Sequence, residues 1–482
     1  MKKLKLCLLL LILLCIPFPV QAEDDHTTQS LRDYMEQALD DYQIPGATLA
    51  VIKDGELVFQ ESWGVQSDGT PVTEDTLFTI GSVSKPLTSL AIMKLAEEQT
   101  LDLDQAINTY IPSFSYDKGA FEKDITIRHL LAHTSGISSY DGLKVAELNL
   151  RGEDAISQAV AQLGTVTLRS EPGETHQYSA ANYLLLGLII EEVTNQTFAD
   201  YMETEVFSEL GMSKTVSTYE AASSLGYQPG FQSWFGKPVK SEIFFDDSGA
   251  PYGYITSTSN DMVKYVEFLL DGGEELLSAS IFAEYISPQI HRKEDMFYGL
   301  GWRISENPED AYYFHGGETP DSRAELFLDP DQNYGFVLLT NKNNYSEVLH
   351  TTYMREGIKA IMEGNEVPAL PEASYQMQWM SLSLVIIVTL LSGWHLFHHK
   401  RKPNIRNKAA GSIGVISIGL SIAFIPVLTY IFGTPWHTID TYAPETSLLV
   451  KLLIGVLAIH GILTLVFIRF KKGGIGFNRK AA

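Results

Sequence analysis

Polar and apolar positions divide the chain into two unlike parts. Near the C-terminus three runs are apolar almost without interruption: 377–397, 409–432 and 448–468. Each is long enough to cross a bilayer as a helix of about 20 residues, so they predict three transmembrane helices. Upstream, the runs shorten and alternate. A helix-like stretch at 31–42 precedes two β-rich runs, 47–53 and 56–61, joined by Asp54-Gly55. Asp-Gly between such runs marks a tight hairpin. A matching pattern closes this part: β-rich 324–328 and 334–341 around Asp329-Pro330-Asp331-Gln332-Asn333, then a helical stretch at 346–362. The middle, 83–215, is mostly helical in spacing. Strands and a helix at both ends with helices between predict an α+β fold. In it an antiparallel sheet, completed by both ends of the domain, is flanked by helices beside a helical lobe. The cleft between sheet and lobe is the natural place for a site.

The N-terminus reads Met1-Lys2-Lys3-Leu4-Lys5, is apolar through Leu14 and reaches Val20-Gln21-Ala22 before Glu23-Asp24-Asp25. This is the pattern of a secretory signal at 1–22, cleaved after Ala22; the alternative is an uncleaved anchor helix. Both cysteines, Cys7 and Cys15, fall inside it. Cleavage leaves no disulfide, thiol nucleophile or Cys-ligated metal. Ile12-Leu13-Leu14 lack the small residues that a lipidation signal before Cys15 would need. The expected organisation is a signal peptide (1–22), a large α+β domain (23–364), a linker (365–376) carrying Pro368 and Pro371, and a membrane region (377–482).

Charge sets the expected orientation. Lys400, Arg401, Lys402, Arg406 and Lys408 follow the first apolar run, and Arg469, Lys471, Lys472, Arg479 and Lys480 follow the third. The connection between the second and third holds Asp440 and Glu445 and no Lys or Arg. Positive loops stay in the cytoplasm, so the large domain faces outward and the C-terminal tail inward. Residues 23–375 hold 21 Lys/Arg against 57 Asp/Glu, a formal charge of −36. Such a surface repels nucleic acid; it suits a salty or alkaline exterior, and a generally solvated surface is the plain alternative.

The sharpest chemical element is Gly81-Ser82-Val83-Ser84-Lys85-Pro86. Val83, Leu87, Leu90, Ala91 and Leu95 recur at helical spacing behind it, and Pro86 is tolerated in a first turn. Ser82 then sits at a helix N-terminus, where the dipole favours developing negative charge. Lys85 lies one turn along the same face. A buried lysine with a lowered pKa can take the serine proton. Tyr178-Ser179 follows Glu171-Pro172-Gly173-Glu174 and precedes a helical run at 182–193; a phenol near a lysine can relay a proton. His315-Gly316-Gly317-Glu318 precedes the strand at 324. Small residues beside a strand let a substrate backbone approach, and a backbone N–H there could complete an oxyanion hole with the N–H of Ser82. Taken singly, each element has a plain structural reading: a helix cap with a surface lysine, a core tyrosine, a glycine turn.

Taken in this order, the three elements resemble the serine β-lactamase/penicillin-binding-protein superfamily, particularly its class C β-lactamase-like branch. Supporting phrases are Phe78-Thr79-Ile80-Gly81-Ser82, Ile127-Arg128-His129-Leu130-Leu131-Ala132-His133-Thr134-Ser135-Gly136-Ile137, Tyr183-Leu184-Leu185-Leu186-Gly187, Leu210-Gly211-Met212 and Tyr298-Gly299-Leu300-Gly301-Trp302. The similarity spans about 44–341 and leaves out the membrane region. It implies a β-lactamase/transpeptidase-like fold, no cofactor, and a small-molecule or cell-wall substrate. Ser82 is similar to the acylated serine, Lys85 to the lysine base and Tyr178 to the tyrosine of Tyr-x-Asn. His315, Gly316 and Gly317 match the Lys-Thr-Gly triplet in a histidine form, and Glu318 occupies the oxyanion-donor position.

Two departures stand out. Position 180 is Ala where the family usually has Asn, and Asn182 cannot replace it because two helical residues turn about 200°. The triplet lacks its lysine, and histidine is largely neutral at pH 7, so a substrate carboxylate would be held less firmly. The implied chemistry is acyl transfer to Ser82 from a D-amino-acid peptide, a D-alanyl ester, a β-lactam or an unrelated ester. Ala180 favours the other reading, a non-catalytic wall-sensing membrane protein on a hydrolase scaffold. His129 and His133 have the i,i+4 spacing of a zinc helix but lack the intervening Glu of His-Glu-x-x-His. His395, His398 and His399 fall at the cytoplasmic end of a membrane helix, an interfacial place.

Overall fold

The two predicted hairpins lie side by side in one sheet. A computed structural model describes residues 21–307, 310–401 and 407–472. Residues 1–20, most of the expected signal peptide, part of the first positive loop (402–406) and the tail 473–482 lie outside the described residues. Helix α1 (Gln21–Asp41) leads into β1 (Gly46–Lys53) and β2 (Glu56–Gly64). Late in the domain come β3 (Pro288–Lys293), β4 (Met296–Gly299), β5 (Arg303–Asn307) and β6 (Asp310–Glu318). They are followed by β7 (Arg323–Asp329) and β8 (Tyr334–Thr340). All eight form one sheet in the order β2-β1-β8-β7-β6-β5-β4-β3, with every neighbouring pair antiparallel. Ala47 pairs with Thr340, joining the first strand to the last.

Both faces of the central strands are covered, which explains their nearly continuous apolar sequence. Strand side chains alternate in direction. Leu49 and Val51 of β1 and Phe336 and Leu338 of β8 pack with Leu31, Met35 and Tyr42 and with Met354 and Ile358 of α5 (His350–Met362). Ala50, Ile52, Val337 and Leu339 point the other way, into the core shared with the helical lobe. That core centres on α2 (Ser84–Glu97) and α3 (Ala180–Thr194), and α4 (Ser259–Leu270) adds Met262 and Val266 to it. Helix α3 is buried from Ala181 to Ile190, as its all-round apolar sequence requires.

The elements differ from expectation at their edges. The first helix begins at Gln21 rather than 31, and the last helix of the domain begins at His350 after a short turn, Tyr345–Glu347. Strands β3 to β6 were not foreseen. The outermost, Pro-Gln-Ile-His-Arg-Lys, is an exposed edge, and charged edges carry little apolar alternation.

Three helices are long and apolar enough to cross a membrane: 376–399, 409–432 and 444–469. They lie in α6 (Gln376–Arg401), α7 (Asn407–Phe432) and, after the short α8 (Trp436–Tyr442), α9 (Pro444–Lys472). Helices α7 and α9 approach closely at glycine: a Cβ on Gly461 would come 2.7 Å from Gly414 O and 2.6 Å from Ile418. Small residues at such crossings let helix backbones touch. The segment 365–375 has no helix or strand and lies against the domain, with Tyr42 OH donating to Pro371 O at 3.2 Å.

Candidate active site

Ser82 lies in a short turn, Gly81–Val83, that runs directly into α2. The turn is pressed against β6. Gly81 has φ +54°, and a Cβ there would fall 2.1 Å from Glu318 N; a Cβ on Gly317 would fall 1.9 Å from Ile80 O and 3.1 Å from Ser82 N. Only glycine at both places allows this approach. It sets the backbone amides of Ser82 and Glu318 beside one another. Thr79 Oγ1 and Thr319 Oγ1, 2.9 Å apart, tie the two segments just behind.

Lys85 is 1% exposed. Its Nζ donates to Ser82 Oγ at 3.0 Å and to the Tyr252 carbonyl at 2.6 Å. It lies 4.8 Å from the Tyr178 ring centre and 5.6 Å from that of Tyr183. Burial lowers its pKa from the ordinary lysine value; Tyr178 opposes this and the Arg303 guanidinium adds to it. Desolvation disfavours the charged amine, so the site favours a lysine able to accept a proton.

Tyr178 precedes α3 and is half-buried, its hydroxyl making no hydrogen bond among the described residues. Its ring packs 4.3 Å from that of His133 and 6.3 Å from that of His315. The triplet precedes the strand at Arg323 and itself lies within strand β6, where Gly317 pairs with Ala324 of β7. His315 is fully buried. Its Nδ1 donates to Gly316 O at 2.9 Å, and its Nε2 accepts from Tyr298 OH at 3.3 Å. Burial, then Arg303 and Lys85, push its pKa well below the ordinary histidine value, so it is neutral. Glu318 points outward and pairs with Arg323 at 3.0 Å. All seven residues singled out in the sequence thus gather at one place.

Four further groups there were not foreseen. The Tyr252 carbonyl comes from the turn Ala250–Tyr254, 167 positions from Lys85 in sequence. Arg303, on β5, has its Cζ 5.9 Å from the Tyr178 ring, and its buried Nε makes no hydrogen bond among the described residues. Arg292 lies within electrostatic reach of Arg303 and Tyr178. His133 is buried, with Nδ1 accepting from Asn182 Nδ2 at 2.9 Å and from Ser179 N–H at 3.2 Å. Asn182 also accepts from Ser135 Oγ at 2.6 Å. It is therefore committed away from the place that Ala180 leaves empty of polar groups. The helix Ile127–Leu131 ends before His133, whose φ is +56°, so His129 and His133 share no helix face. Among the described residues no group of three or more His, Cys, Asp or Glu is placed to hold a metal ion.

Comparison with known proteins identifies the family. The chain is 30% identical over 326 residues to Protein flp of Staphylococcus aureus, an alignment covering 66% of this chain and 63% of that protein. The chain thus spans less than two thirds of the length of that relative. It is 27% identical over 316 residues to Penicillin-binding protein 4 of Amycolatopsis lactamdurans, covering 62% of this chain and 82% of that one. In fold it resembles the octameric penicillin-binding protein homologue from Pyrococcus abyssi, with TM-score 0.62 and 22% identity over 73% of this chain and 80% of that chain. Residues 31–358 match the Beta-lactamase family, and the chain belongs to that family, within the serine β-lactamase/penicillin-binding-protein superfamily.

Proposed function

We propose that the protein is a membrane-anchored serine hydrolase working through an acyl-enzyme on Ser82. The observation that carries this reading is the 3.0 Å contact between Ser82 Oγ and the buried amine of Lys85. Neutral Lys85 takes the hydroxyl proton as Ser82 attacks an amide or ester carbonyl. The N–H groups of Ser82 and Glu318 receive the oxyanion. Tyr178, beside Lys85, relays the proton to the leaving group. Water, or an amine acceptor, then releases the acyl group along the same proton path.

The substrate side is argued from charge. His315 is neutral, so the missing triplet lysine has no replacement at its own position. Arg303 and Arg292 supply positive charge near Tyr178 instead, and a guanidinium suits a carboxylate. A carboxylate-bearing acyl donor, such as a D-amino-acid peptide or ester of the wall, fits this arrangement. The connection carrying α8 contacts the hydrolase domain, with Gln232 Nε2 donating to Thr441 O at 2.6 Å. That contact supports a topology with both on one side of the bilayer. The charged loops argue that this side is the exterior.

The test is covalent labelling of the full-length protein by a fluorescent penicillin and a p-nitrophenyl ester panel. Ser82→Ala should remove labelling and turnover while leaving the far-ultraviolet spectrum unchanged. Undiminished turnover in that variant would sink the mechanism.

A further inference from the structure

The membrane region does more than lie beneath the domain. Its outer connection reaches the wall of the cleft. Tyr442, the last residue of α8, donates from its hydroxyl to Glu147 Oε1 at 3.1 Å, and His437 Nε2 donates to Ala146 O at 3.3 Å. Helix α8 is itself held firmly. Besides Gln232, Asn344 Nδ2 donates to the nearby Glu445 at 2.9 Å, and Glu445 is 1% exposed.

The segment these contacts grip leads to Tyr178. Glu147 and Asn149 have φ of +57° and +54°. Left-handed conformations cost non-glycine residues energy and persist where surroundings impose them. Here the surroundings are Asp246, whose Oδ2 accepts from Leu148 N–H at 2.7 Å, and the two contacts from α8. Just upstream, the short helix Ser139–Lys144 rests on the residues around Tyr178. Ser139 Oγ donates to Tyr178 O at 2.5 Å, and Ser179 Oγ to Ser138 O at 3.0 Å. A Cβ on Gly142 would come 2.5 Å from Ser179 Oγ and 2.7 Å from Ala180 N. The Glu147 carboxyl is also within electrostatic reach of Lys85 and Glu318, and its Oε2 is buried with no partner among the described residues. Burial pushes this carboxyl up to about 8, so near neutral pH it is largely protonated and Tyr442 meets a neutral acceptor.

We propose that Tyr442 is a positioning residue: through Glu147 it fixes the 139–147 segment, and through that segment the place of Tyr178 beside Lys85. The membrane region then contributes to acyl transfer and not to anchoring alone. This rests on the reading of Ser82, Lys85 and Tyr178 as the acyl-transfer site.

The experiment uses the full chain in lipid nanodiscs and a fluorescent penicillin or activated ester, separating probe affinity from the acylation rate at saturation. Tyr442→Phe should lower the rate by about three- to tenfold, the size of one neutral hydrogen bond, with affinity unchanged. Glu147→Leu should lower it similarly, and the double variant should be no slower than the slower single one, because both remove one contact. Glu147→Gln keeps an acceptor and should stay within about twofold of the unmodified rate if a single hydrogen bond is what matters. A merely structural role would lower the active fraction and leave the rate of the remaining molecules untouched; that result overturns the inference. So does an unchanged rate in Tyr442→Phe, or additive losses in the double variant. If the unmodified chain takes up no probe, or Ser82→Ala still takes it up, the acyl-transfer reading itself has failed and this inference falls with it.

Discussion

Lys85 and Ser82 face each other across 3.0 Å, and the second strong contact of the Lys85 amine, at 2.6 Å, is to a carbonyl oxygen. A carbonyl can only accept. The Tyr252 oxygen therefore occupies one N–H and leaves the nitrogen lone pair of the neutral amine free to turn toward the serine hydroxyl. The fold thus orients the amine as well as placing it near.

Acylation should follow the ionisation of Lys85. Its folded pKa is lowered by burial, so the neutral base is present at lower pH than for an ordinary lysine. The rate should rise as pH rises through that lowered pKa and then level off. Lys85→Ala should slow acylation by about 10²–10⁴, the usual worth of a placed general base. Stopped-flow labelling across pH reads both effects; a loss under tenfold would mean that another group is the base.

Arg303 should select for negative charge. Arg303→Ala should weaken kcat/KM for a carboxylate-bearing substrate by about ten- to a hundredfold, the scale of a charge-assisted hydrogen bond. A neutral p-nitrophenyl ester should change little. The variant should also move the rising pH limb upward, since Arg303 helps to lower the Lys85 pKa. Equal losses on both substrates would contradict this role.

Ala180 should tune substrate class. It offers no side-chain donor or acceptor beside Tyr178, and Asn182 is engaged with His133 and Ser135. A β-lactam or peptide with a side-chain amide then lacks one contact, worth about 0.5–1.5 kcal/mol, while a simple ester loses little. The unmodified protein should prefer activated esters, and Ala180→Asn should shift the ratio of kcat/KM for nitrocefin over ester toward nitrocefin. Efficient nitrocefin hydrolysis before the change and an unmoved ratio after it would refute the idea.

Topology predicts protease sensitivity. Protease added to intact cells or spheroplasts should remove the hydrolase domain and spare a tag placed in the 398–408 loop. A tag there that is cut from outside would reverse the orientation.

The sequence by itself determined the features that depend on neighbours along the chain. The two terminal hairpins, the three apolar helices and the one-turn spacing of Ser82 and Lys85 were all legible, because periodicity and helix geometry are local. Its order of elements also singled out seven residues that the fold gathers at one place, with His315-Gly316-Gly317 lying within a strand. Tertiary structure alone decided the rest. Strands β3 to β6 carry mixed polar sequence, and their pairing depends on partners across the sheet. The Tyr252 carbonyl, the nearness of Arg303 to Tyr178 and the commitment of Asn182 to His133 come from segments distant in sequence. The same holds for Tyr442 and Glu147, separated by 295 positions. No local pattern encodes such contacts, since a side chain's partners follow from how whole elements pack, and that packing is set by burial summed over the domain.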